Sequence, residues 1–228
     1  MSRAVVLLSA GLDSVVSFKL AYDSYDEVIC LTFDYSQQAH SVEIDYAAKI
    51  CAMYHVNHQI IKLPWYANFV GALTNKTKLP QLKDEVLEDI VAVRETAKAV
   101  WVPARNAVFL SIAAAFSENY GCKTVIVGFN KEEAKTFPDN SADFVASFNQ
   151  ALKYTNLPEV EVIAPLIEYE KAEIAALGLS IGAPLEWSWS CYTAEGAPCR
   201  VCESCLRRSR AFKAICKEDP LLKRLSSR

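Results

Sequence analysis

The sequence predicts an α/β protein built on an open, mostly parallel sheet with helices on both faces, plus a small C-terminal four-cysteine segment. Three observations carry this. Short apolar runs alternate with longer segments of helical periodicity, the pattern of βαβ units. The first run, residues 4–8, is apolar throughout and reads as a buried strand. Four of the eight cysteines crowd into fifteen residues near the C-terminus, whereas Cys30, Cys51, Cys122 and Cys216 are scattered.

The first run, residues 4–8, reads as a strand and is followed by helical periodicity over 13–22. Residues 28–33 form the second strand. A helix is expected over 42–54, with Ser41 at its N-cap. Residues 57–61 suit a third strand. Residues 100–102 also look strand-like, before an alanine-rich helix over 106–120 that Gly121 stops. A strand over 124–127 ends at Gly128. A helix follows over 141–154, then a strand over 161–163 and a helix from 171 to 177. Residues 65–100 carry little periodicity and read as a mobile insertion near the site. The organisation expected is a catalytic domain over 1–186 and a metal-binding segment over 187–228.

Composition narrows the class. Hydrophobic residues make up 52% of the 228, enough for a sizeable core. The 24 basic residues against 27 acidic ones give a net charge of −3, with local basicity confined to 200–213. Nucleic acid is therefore an unlikely partner on electrostatic grounds. No apolar stretch approaches the length of a membrane span, and the N-terminal apolar run is too short for a signal peptide. Scattered single thiols and one tight cluster suit a reducing compartment, and a cytoplasmic location is expected.

Two motifs carry chemistry. Ser9-Ala-Gly-Leu-Asp-Ser14 lies between the first strand and the first helix, where open α/β sheets bind ligands. Amides at a helix start and the helix dipole suit an anion. Gly11 is expected to supply the turn, and Asp13 either binds Mg²⁺ or caps the helix, as Ser14 also could. Cys191-x7-Cys199-x2-Cys202-x2-Cys205 offers four thiolates in the spacing of a tetrahedral Zn²⁺ site, with an iron–sulfur cluster as the alternative. Such a site has no open position, so its expected role is structural.

The six-residue loop resembles the SGGxDS loop of the PP-loop ATP-pyrophosphatase ligases. Ala10 stands in place of a glycine, which is harmless if its φ is negative. Further strings resemble the 7-cyano-7-deazaguanine synthase (QueC) family in matching order. They are 32–40 (FDYGQRH in the family, with Ser36 for glycine), 102–106 (VP[GA]RN), 128–130 with 137–139 (G-x-N, YPDC), 165–174 (PL-x4-K-x-E-I) and 189–205 (SCY, CGxCxxC). Thr136 and Asn140 depart from the family's SGYPDC.

The resemblance implies cleavage of ATP between its α and β phosphates, and conversion of 7-carboxy-7-deazaguanine and ammonia to the nitrile through adenylated acid and amide. A ligase joining a deazapurine acid to another amine is the alternative. The ATP site implied is Leu8, Ser9, Ala10, Gly11, Leu12, Asp13, Ser14, Phe33 and Asp34, with Mg²⁺. Asp13, Arg105 and Lys171 are the catalytic candidates. Tyr35, Gln37, Arg105, Asn106, Gly128, Asn130, Phe137 and Asp139 are the substrate candidates, with Phe137 stacking on the base and Asp139 accepting from its amidine edge. Arg105 suits an anion as a bidentate donor, and Lys171 suits the α-phosphate. A homodimer is also implied.

Overall fold

The computed structural model describes residues 1–69, 71–74, 79–80, 90–156, 159–194 and 196–227. Five parallel strands, β1 (Arg3–Leu7), β2 (Glu27–Asp34), β3 (Asn57–Lys62), β4 (Thr124–Ile126) and β5 (Glu161–Ile163), form one sheet in the order β3-β2-β1-β4-β5. β1 pairs with β2 through Val5 opposite Ile29 and with β4 through Val5 opposite Val125. The chain winds outward from β1 in one direction, then returns and winds outward in the other. The carboxyl ends of β1 and β4 therefore flank the topological switch point, where such sheets bind ligands.

The helices are α1 (Leu12–Ser24), α2 (His40–Tyr54), α3 (Ile90–Val100), α4 (Arg105–Asn119), α5 (Lys131–Ala134), α6 (Ala142–Leu152), α7 (Lys171–Ser180), α8 (Glu203–Ala214) and α9 (Pro220–Ser226). Side chains of β1 alternate between two cores. Ala4, Val6 and Leu8 join α1, α2, α7, α8 and α9, while Val5 joins α3, α4 and the strand residues Ile29, Leu31 and Val125. Trp189, Cys191, Cys202, Cys205, Phe212 and Leu221, all from 187–228, share the first core with β1 and α1. Among the described residues no helix is long and apolar enough to cross a membrane.

Local expectations differ from the structure in three places. α2 starts at His40 behind Ala39, without a side-chain cap, so Ser41 lies inside the helix. Val100 ends α3, so 100–102 is not a strand. Val100 joins the second core and Ala97 is buried, whereas Lys98 pairs with Glu95 in solvent. The stretch 65–100 thus contains a short 3₁₀ turn (Pro64–Asn68), a turn over 71–74 and α3, and the part of that expectation on 70, 75–78 and 81–89 falls outside the described residues. Ser141, by contrast, does cap α6, accepting from Phe144 N–H at 3.1 Å.

Candidate active site and four-cysteine centre

The loop after β1 is fixed from several sides. Thr32 Oγ donates to Leu8 O at 2.6 Å, Trp189 N–H donates to Ala10 O at 2.7 Å, and Ser14 Oγ donates to Gly11 O at 3.0 Å. Ser9 Oγ accepts from Gly11 N–H at 3.3 Å and lies 3.1 Å from Ser14 Oγ. Gly11 is the N-cap of α1, with φ −64° and no side-chain cap. The amides of a helix's first turn, here Leu12 to Ser14, have no partner within the helix, an arrangement that suits an anion. Neither Asp13 nor Ser14 caps the helix.

Gly11 does not make the turn, because φ −64° is open to any residue. Ala10 makes it at φ 57°, in the left-handed region, so the condition that its φ be negative is not met. The glycine that the packing does require is Gly128, after β4. A Cβ there would lie 2.8 Å from Ser14 N and 3.0 Å from Asp13 C. The end of β4 is pressed against the start of α1, and only a bare backbone fits.

Loop, β4 and α7 enclose a cavity of about 280 Å³. At its charged end Lys171 Nζ donates to Asp13 Oδ2 at 2.6 Å and to Glu133 Oε1 at 2.8 Å. Burial pushes the Asp13 carboxyl up to about 6 against the pull of Lys171. Burial also opposes the Lys171 charge, but Asp13 and Glu133 outweigh it and hold the ammonium group above its ordinary value. Asp13 Oδ1 is buried with no hydrogen-bond partner among the described residues. A hard, unpaired carboxylate oxygen beside a row of free amides fits Mg²⁺. Asp13 would hold it, and the ion would offset charge on departing phosphates.

Across the cavity Arg105 starts α4, its guanidinium over the Tyr35 ring at 6.0 Å. Burial opposes its charge, and Tyr35, Asp139 and Glu133 restore it. Burial raises the Asp139 carboxyl against the pull of Arg105. Asn106 Nδ2 donates to Asp139 O at 3.1 Å, tying α4 to the 3₁₀ turn Pro138–Asn140. Asn106 is therefore a brace inside the helix and not its cap. Phe137 and Trp101 lie parallel, 8° apart, with centroids 6.2 Å apart. Phe33 instead stacks on Phe109 at 4.0 Å.

Leu8, Ser9, Gly11, Leu12, Asp13, Ser14, Phe33, Tyr35, Gln37, Arg105, Asn106, Gly128, Phe137, Asp139 and Lys171 all line this one cavity. Ala10, Asp34 and Asn130 do not. Ala10 is fully buried, Asp34 Oδ1 accepts from Ser36 N–H at 3.1 Å, and Asn130 caps α5 by accepting from Glu133 N–H at 2.9 Å. Gln37 lines the wall with its amide committed to Tyr35 N–H, Phe33 O and Glu43. Sequence reasoning passed over Glu133, Trp101, Tyr192 and Glu203, and Arg207, expected to offset charge at the four cysteines, also lines the cavity. For Glu133 the available signal was its place three residues after Asn130, the spacing of a helix N-cap and its N3 residue.

The four cysteines converge. Their Sγ atoms all lie within 4.8 Å of one another, and none is in a disulfide. Four thiolates about 2.3 Å from one ion would be about 3.8 Å apart, so the group could hold a metal ion. Cys191 also lines the cavity, with Tyr192, Glu203 and Arg207 beside it. Arg207 pairs with Glu132 of α5 and, at 2.8 Å, with Glu203. The cysteine segment therefore closes one wall of the site.

A loop without a Walker lysine, set between β1 and α1 at the switch point of a parallel sheet, fits the class of PP-loop ATP-dependent ligases that its sequence resembles. The model of the family "Queuosine biosynthesis protein QueC" matches residues 3–216, and the chain belongs to that family. It is 46% identical to the 7-cyano-7-deazaguanine synthase of Methanosarcina barkeri over 228 residues, covering 98% of this chain and 99% of that one. It is also 46% identical to the synthase of that name from Carboxydothermus hydrogenoformans, over 92% of this chain and 98% of that one. The NMN synthetase structure from Francisella tularensis shares the fold at TM-score 0.50 and 16% identity, covering 97% of this chain and 81% of that one. The chain is an ATP-dependent, C–N bond-forming enzyme of queuosine biosynthesis.

Proposed function

We propose that the chain converts 7-carboxy-7-deazaguanine and ammonia to 7-cyano-7-deazaguanine, with two ATP consumed. One observation carries this: the pyrophosphate loop and the Arg105–Asp139 group face each other across a single cavity. The substrate carboxylate attacks the α-phosphorus of ATP, and pyrophosphate leaves into the amides of Leu12 to Ser14. Ammonia then attacks the acyl carbon and AMP departs, giving the amide. The amide oxygen attacks a second α-phosphorus, and loss of AMP and protons leaves the nitrile. Both activations turn an oxygen into part of an AMP leaving group, so one site serves for both.

Lys171 lies beside Asp13 and is placed to neutralise charge on the α-phosphate as the bond to the leaving group breaks. Arg105 pairs with the carboxylate, held over Tyr35 so that little entropy is lost on binding. Asp139 takes the amidine edge, and the Phe137 ring stacks on the base. Gln37 and Asn106 act by fixing the shape of the wall. The ion at the four cysteines is Zn²⁺, consistent with a closed four-thiolate set, and the protein works as a homodimer, as the family implies. Metal analysis of the purified protein should return one zinc per chain, and iron in its place would correct the assignment. Incubation with the acid, ATP and ammonium should give the nitrile by mass spectrometry. Acid returned unchanged, or joined to a different amine, would rule the reading out.

A further inference from the structure

The cavity holds more negative side chains than a site for two anionic substrates calls for. Asp13, Glu43, Glu133, Asp139 and Glu203 line it, against Arg105, Lys171 and Arg207. ATP and a carboxylic acid both add negative charge. A site with that balance takes up cations along with its anions. Mg²⁺ at Asp13 answers only part of it.

Glu203 stands apart from the loop. It opens α8, and its side chain is 3% exposed. Its Oε1 accepts from Arg207, from Nε at 2.9 Å and from the terminal guanidinium nitrogen at 2.8 Å. Its Oε2 is buried and has no hydrogen-bond partner among the described residues. Buried acceptors are nearly always paired, and one left free in a cavity wall points to a donor brought by a ligand. Mg²⁺ suits it poorly. That ion demands an octahedron of oxygens, whereas Glu203 offers one free oxygen with a guanidinium on the other. An ammonium ion needs only acceptors. Tyr192, whose hydroxyl lies in the field of Glu203 and Glu133, adds an aromatic ring to the same wall.

We propose that Glu203 Oε2 accepts a hydrogen bond from an ammonium ion, which releases one proton to water and then attacks as ammonia, so that the cysteine segment delivers the second substrate to the PP-loop site. This rests on the synthase reading above. Glu203→Gln keeps an oxygen for Arg207 and removes the charge. The Michaelis constant for ammonium should rise about tenfold or more, with those for ATP and the acid changed less than about twofold. Acid-dependent exchange of labelled pyrophosphate into ATP comes before ammonia is used and should persist, as should attack by hydroxylamine, which is uncharged at neutral pH. The metal content should match the parent.

An unchanged ammonium constant would overturn the proposal. So would an equal fall in exchange and hydroxylamine reactivity, which would make Glu203 a brace for Arg207. A selective rise in the constant for the acid would instead assign Glu203 to the base. Thallium(I), an ammonium mimic, soaked into crystals of the holoprotein gives an answer independent of the reaction. An anomalous peak at Glu203 in the parent and none in the variant is expected, and a parent crystal without the peak contradicts the site. Absence of acid-dependent exchange in the parent would sink the synthase reading, and the thallium result would still decide Glu203.

Discussion

Ala10, Ser36, Ala104 and Arg200 adopt φ of 57°, 64°, 53° and 65°. In the family strings that this chain resembles, these are glycine positions, the third of them shared with alanine. Here non-glycine residues hold a left-handed backbone at these positions. Each such residue costs ~1–2 kcal/mol relative to an unstrained one, so neighbouring contacts must hold the turns in place. At Ala10 the methyl is fully buried, worth ~0.8 kcal/mol, and glycine would add ~0.4–1 kcal/mol of unfolded-state entropy. Ala10→Gly should therefore shift stability by less than ~1 kcal/mol, whereas Ala10→Val, a β-branched residue at positive φ, should cost more than ~2 kcal/mol. Arg200 is exposed, so Arg200→Gly relieves strain without losing packing and should raise the midpoint of denaturation. Urea titrations of the three variants check this, and an Ala10→Val protein as stable as the parent would contradict it. Lys171→Met should lower acid-dependent pyrophosphate exchange by about 10²–10³. It also leaves the mostly buried Asp13 without its cation, at a cost of up to ~3 kcal/mol. Folded protein with full exchange activity would remove Lys171 from the chemistry.

Most elements were legible in the sequence because both faces of the sheet are covered and the central strands β1 and β2 are largely apolar, whereas the edge strand β3 (NHQIIK) is mostly polar and half-exposed. The pattern failed where tertiary contacts decide. Val100, Trp101 and Val102 are β-branched and aromatic, which suits a strand, yet packing against Leu110 and Val125 in the second core absorbs Val100 at the end of α3. The cysteine spacing pointed to a group that could hold a metal ion, but nothing in it showed that Glu203, between two of the cysteines, and Arg207, just after the last, line the cavity. Chelation should for that reason abolish activity as well as lower the melting temperature. Cys205→Ser is expected to do both, and a metal-free protein with full exchange activity would show the segment to be separate from the site. Trp101, between α3 and α4, parallels Phe137 and completes an aromatic wall. Trp101→Ala should raise the Michaelis constant for the acid severalfold and leave that for ATP near its parent value, measured by steady-state kinetics. An equal rise in both would place the ring against the nucleotide.

At the scale of the whole molecule, strand order makes the site. Because β1 and β4 are neighbours that lead the chain away in opposite directions, their ends leave a crevice that neither covers. Gly128 lets β4 close against Ser14, Trp189 clamps Ala10 from the cysteine segment, and α7 brings Lys171 to Asp13 from 158 residues away. The central claim is that the loop amides grip the two phosphates that leave together. A crystal structure with a non-hydrolysable ATP analogue and magnesium tests it most directly. The β and γ phosphates should lie against the N–H groups of Leu12 to Ser14, with the α-phosphate next to Lys171. Phosphates bound elsewhere, with that turn unchanged and empty, would contradict it.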